Sequence, residues 1–213
     1  MNWLLQAYKE YHNLSGNTYS TFEEAIIGLC LLGDDKACKE CPKDKKICTN
    51  AEEGAVLKVD IRSKISKVNI EQFFVQFDGT KASIGKKCDI MLYNTSNVIL
   101  YDMTCTKNKY VEPYTNSKGM QKGKRATAYE QIESVINALT EVPDIKNKFN
   151  DCSNKVALFA LRLKDDSEQF DNVENNMMVF ESQFENSQLC LTDMGNNFQF
   201  KTITYPQIYK ISD

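Results

Sequence analysis

Residues 2–13, NWLLQAYKEYHN, place Trp3, Leu4, Tyr8 and Tyr11 at helical spacing and predict a short amphipathic helix. Trp3 and the two tyrosines are then available to pack on the main body or on a partner. After a Ser-Gly-Asn turn, residues 20–33 open with two overlapping capping-box patterns, Ser20 with Glu23 and Thr21 with Glu24. They predict a second helix that stops at Gly33. Val56 to Ile65 and Ile70 to Phe77 alternate roughly and predict strands. Asp78-Gly79 and Gly85 then punctuate the passage to a pair of short strands around Asn94-Thr95-Ser96-Asn97.

A polar loop is expected over residues 107–125, long enough to suggest a functional or mobile segment. Residues 126–141 carry Ala128, Ile132, Val135, Ile136 and Leu139 on one face, which predicts a helix ending before Pro143. The nearly continuous apolar run from Lys155 to Leu163 reads as a strand buried on both faces. Residues 177–184 and 198–205 supply further strand-like runs. The order implies an α/β (α+β) domain with a central mixed β-sheet flanked by helices.

Composition narrows the picture. The 213 residues suit a single domain, residues 1–213, and 42% hydrophobic content can build a core. A net charge of −3 leaves any nucleic-acid binding to a local patch. No apolar run approaches the roughly 18 residues that span a bilayer, so no membrane association is expected. The first residues lack a basic segment and a cleavage site, so a cytoplasmic location is expected.

Eight cysteines are many for such a chain, and in a reducing compartment they suggest ligands or free thiols. Residues 34–54 form a Cys-rich insertion with few aliphatic residues. Cys30, Cys38, Cys41 and Cys48 could close a tetrahedral Zn²⁺ site that orders it. An iron–sulfur cluster, a redox disulfide and unligated thiols remain alternatives. The other four cysteines read as small buried residues, and His12, the single histidine, is assigned no role.

The candidate chemistry lies in residues 85–107. An aspartate inside an apolar strand is costly to bury without a partner or an ion. Asp89 and Asp102 occupy the two strands of the short hairpin and can meet at one point. Alternation puts Val98, Leu100, Asp102, Thr104 and Thr106 on one face of the second strand, which becomes polar toward its C-terminal end. Ligands gather at that end of open α/β sheets. Two converging carboxylates would suit Mg²⁺ or Mn²⁺, which polarise phosphoryl oxygens and activate water. The plainer alternative has Asp102 bonding loop amides and Asp89 paired with Lys86, Lys87 or Arg62.

The stretch from Lys87 to Leu92, the stretch from Val98 to Thr104 and the helix carrying Gln131 resemble the core of PD-(D/E)XK nuclease-like proteins, the restriction-endonuclease-like fold. The resemblance covers about residues 20–163 without the insertion. It implies metal-dependent phosphodiester hydrolysis of nucleic acid, with DNA favoured, in a subunit of a bacterial or phage DNA-processing or defence system. Asp89 and Asp102 take the two acidic positions, Gln131 the helix glutamine, and Glu24 or Glu23 a further acid. The family's lysine, which orients the attacking water and offsets charge on the phosphate, is replaced by Thr104. Lys107, Lys109, Lys124 or Arg125 could supply the charge from nearby. The alternative is a catalytically inactive scaffold that docks a protein partner or a second copy of itself.

The loop after Asp102 is basic. Lys107, Lys109, Lys118, Lys122, Lys124 and Arg125 stand against Glu112 alone, with Tyr110 and Tyr114 interleaved. Such a segment can follow a phosphate backbone while its tyrosines stack on bases. A solvated surface loop has the same composition.

Overall fold

The computed structural model describes residues 3–15, 18–33, 56–163 and 194–212. The domain is α+β, with a mixed seven-stranded sheet and four α-helices among these residues. The chain begins with α1 (Trp3–Tyr11), followed by β1 (Glu23–Gly33), β2 (Val56–Asn69) and α2 (Ile70–Val75). Next come the β3 (Ile90–Tyr93) and β4 (Asn97–Thr106) hairpin, a small hairpin of β5 (Tyr114–Asn116) and β6 (Gly119–Gln121), and α3 (Lys124–Thr140). It ends with α4 (Pro143–Asp151), β7 (Asn154–Leu163), β8 (Gln199–Thr204) and β9 (Ile208–Ile211). The main sheet runs β1-β2-β3-β4-β7-β8, with β9 joined to β2.

β4 and β7 pair in parallel over their full length, from Asn97 opposite Asn154 to Thr106 opposite Leu163. The crossover between them is α3 and α4, so the long helix lies on the sheet, as parallel connections require. Its buried stripe is Ala128, Ile132, Val135, Ile136 and Leu139. These residues meet Val98, Leu100, Ala157, Phe159 and Leu161 from the sheet, and the four helices share this core.

Among the described residues, the opposite face is covered by strands. Leu57, Val59 and Ile61 of β2 cluster with Ile99 and Tyr101 of β4 and with Val156, Leu158 and Ala160 of β7. β2 therefore crosses over strands from which β3 separates it in the sheet order. Its far half is secured on one edge by β9, parallel from Lys58 opposite Ile208 to Ile61 opposite Ile211. β1 follows this bend through a bulge between Ile26 and Gly28, where Gly28 takes φ +83°. Past the bulge, Leu29 faces outward, 63% exposed, while Cys30 and Leu32 face the core.

Two sequence expectations are overturned. Residues 20–33 are predominantly a strand, because the caps that suggested a helix have tertiary partners. The Glu23 carboxylate accepts the Tyr93 hydroxyl at 2.7 Å, and Glu24 pairs with Lys67. The run from Ile70, expected as a strand, is helix α2. Ile70, Phe73, Phe74 and Phe77 sit at i, i+3, i+4 and i+7, all buried, and the Asn69 side chain caps the amide of Gln72 at 2.9 Å. The expected long loop contains a short hairpin, and α4 follows directly on α3, with Pro143 in its first turn. Residues 177–184 and the insertion at residues 34–54 lie outside the described residues.

α1 is fastened to α2 by one aromatic side chain. Tyr8 packs on Phe73, Phe74 and Phe77, and its hydroxyl donates to the Ala82 carbonyl at 2.8 Å. Replacing Tyr8 with Ala should cost about 3–5 kcal/mol in urea unfolding, the usual range for a fully buried aromatic. Tyr8→Phe should cost about 1 kcal/mol, through the hydrogen bond alone.

Candidate active site

The β3–β4 register brings the two aspartates together. The ladder ends with Ile90 opposite Tyr101, which leaves Asp89 and Asp102 each one residue beyond the last pair, on neighbouring segments. Asp102 is 8% exposed and lies on the helix-bearing face, while Asp89 is half-buried. An oxygen of Asp89 accepts the backbone amide of Met103 at 2.6 Å. This bond continues the hairpin ladder with a side chain where β3 has not yet begun.

Cys88 is buried between these groups. Burial, followed by the charges of Asp102 and Asp89, pushes its thiol well above the usual range and keeps it neutral. Gln131 donates to the Lys87 carbonyl at 2.8 Å and so fixes the segment that carries Asp89 to α3. Two of the basic partners considered for Asp89 pair with other acids: Lys86 with Glu130 and Lys87 with Asp78.

Glu24 does not join this site. It projects from a strand on the opposite face and pairs with the buried Lys67 at 3.1 Å. Near that pair the phenol oxygen of Tyr101 is buried without a hydrogen-bond partner among the described residues. Burial, then the charge of Asp89, pushes that phenol well up. Cys30, expected near a helix end, is a buried β1 residue whose thiol contacts the Ile27 carbonyl at 3.6 Å. Cys38, Cys41 and Cys48 lie outside the described residues.

No three metal-ligating side chains come together among the described residues. Magnesium keeps most of its water and binds through one or two carboxylates plus substrate phosphate. Asp89 and Asp102 fit that more open mode.

The basic segment begins where β4 ends. Lys107, Lys109, Lys118 and Lys124 are exposed, and Lys109 lies over the Tyr110 ring, which meets Tyr114 at 4.8 Å with the ring planes tilted by 58°. Met120 tops the β5–β6 hairpin at 82% exposed. Arg125 and Lys122 have structural partners. Arg125 donates to Glu112 at 2.7 Å and to Thr202 at 3.0 Å, which ties the start of α3 to β8. Lys122 pairs with Glu130, which also holds Lys86. Sequence reasoning missed Glu130, because its partners come from separate loops and no periodicity links them.

Gly123 makes the close approach at the hairpin's base possible. Its φ is +81°, and a Cβ there would lie 2.4 Å from the Glu112 carbonyl carbon. Only glycine fits without moving the backbone.

Compared with protein-family models, curated proteins and solved structures, the chain matches none of them. No helix among the described residues is long and apolar enough to cross a membrane.

Hydrogen bonds from Lys122 and then Lys86 hold the Glu130 carboxyl down at about 2, against an ordinary value of 4.5. A depressed carboxylate contributes stability above its unfolded value and loses it as pH falls through the folded one. The base of the hairpin should therefore loosen between about pH 4.5 and 2. Amide exchange in β5 and β6 should accelerate over that window in the wild type. In Glu130→Gln it should be faster already at neutral pH.

Proposed function

We propose that the protein is a PD-(D/E)XK-like domain that hydrolyses nucleic acid with a divalent metal. The observation that supports this reading is that Asp89 and Asp102 each lie one residue beyond the last pair of the β3–β4 hairpin, on neighbouring segments. The α3 crossover supports it further, since Gln131 grips the segment leading to Asp89. Asp102 and Asp89 would hold the ion, whose chemistry is to polarise the phosphoryl group and lower the pKa of a bound water. The protein's own share is to bind and position the strand. Lys107, Lys109, Lys118 and Lys124 attract the phosphates, and Tyr110 and Tyr114 offer surfaces for stacking bases. Thr104 can donate one hydrogen bond to a phosphate oxygen but supplies no positive charge, so Lys107 is the nearest candidate for that part.

A second reading, favoured by Thr104 and by the hydrogen bond that Asp89 accepts from the Met103 amide, is a catalytically silent scaffold that docks a partner protein. Incubation with single- and double-stranded DNA and RNA in Mg²⁺ or Mn²⁺ separates the two. Metal-dependent cleavage that falls at least a hundredfold in Asp102→Ala supports the nuclease. Absence of cleavage on every substrate supports the scaffold.

A further inference from the structure

A groove of about 790 Å³ opens at the other end of the hairpin, beside the turn at Asn94 and Thr95. Trp3 and Tyr93 form its aromatic wall, meeting edge to face at 5.5 Å. The Tyr93 phenol donates to Glu23 at 2.7 Å, which holds the ring in place beside Trp3. This wall is therefore set before any ligand arrives. Lys148 lies 4.2 Å from the centre of the Trp3 ring, and the exposed Lys64 borders the same space. Among the described residues, Asp151 is the single acid in the lining. Volumes of this size hold small ligands, and such sites combine apolar walls with a few polar groups.

We propose that this groove binds a planar aromatic anion of the size of a nucleoside monophosphate. The ring would lie against Trp3 and Tyr93, and Lys64 and Lys148 would meet the charged group. The groove is remote from the acidic pair. Val98, which lines it, precedes Asp102 by four strand residues, or roughly 13 Å. The inference therefore stands independently of the nuclease reading.

Trp3 is the only tryptophan in the chain, so its fluorescence reports on the groove directly. The full chain is titrated with adenosine monophosphate, with adenosine and with inorganic phosphate, and equilibrium dialysis is run in parallel. The proposal expects saturable binding of the monophosphate, at least tenfold weaker binding of the other two, and a change in Trp3 emission. Lys148→Glu and Lys64→Glu should each weaken binding about tenfold or more, by loss of a charge-assisted contact and addition of a repulsive one. Asp102→Ala should leave binding unchanged. The proposal is overturned by no binding in dialysis at low millimolar monophosphate, by unchanged affinity in both lysine variants, or by binding lost in Asp102→Ala.

Discussion

The parallel pairing of β4 with β7 is the constraint on which the rest of the domain depends. Both strands are covered on both faces, by helices on one side and by the folded-over β2 on the other, so they admit almost nothing polar along their length. Polar groups on β4 are accordingly concentrated near its ends. At the start, Asn97 donates to the Ser212 carbonyl and accepts from Asn154, which closes that end. Toward the other end come Asp102, Thr104 and Thr106. Asp102 is the costly member, a carboxylate at 8% exposure. The acid on the neighbouring segment, Asp89, hydrogen-bonds the neighbouring backbone, and the neutral Cys88 lies close to both.

Much of this was legible in the sequence. The alternation along β4 assigned each side chain to the face it occupies, because a strand fixed in a sheet has a strict period of two. The α3 stripe was equally clear, and the continuous apolar run of β7 announced a strand covered twice. The error over residues 20–33 arose because local signals were satisfied by distant partners. Glu23 and Glu24 look like capping acids, yet one accepts from Tyr93 and the other pairs with Lys67, far away in sequence. The α2 stretch is short and dense in phenylalanine, so a strand reading of its apolar positions competed with the helical one. The cap at Asn69 decides for the helix. The roles of Glu130 and Arg125 were hidden for the same reason, since each bridges loops that only the fold brings together.

The two ends of the hairpin differ in chemistry. One carries carboxylates with a lysine-rich hairpin beside them, suited to phosphate and hydrated metal ions. The other carries aromatic rings with two lysines, suited to a flat anion. α3 leads from the first end toward the second, and Gln131 and Glu130 hold its early turns to the acidic side. The same scaffold thereby separates a proposed reaction site from a proposed ligand site.

The two carboxylates are tested most directly by NMR with trace Mn²⁺, whose paramagnetism broadens signals only close to the bound ion. A metal held by Asp89 and Asp102 predicts selective loss of the Cys88, Asp89 and Met103 amide signals, reversed by excess Mg²⁺ and absent in Asp102→Ala. Broadening centred elsewhere, or none at stoichiometric Mn²⁺, would contradict it.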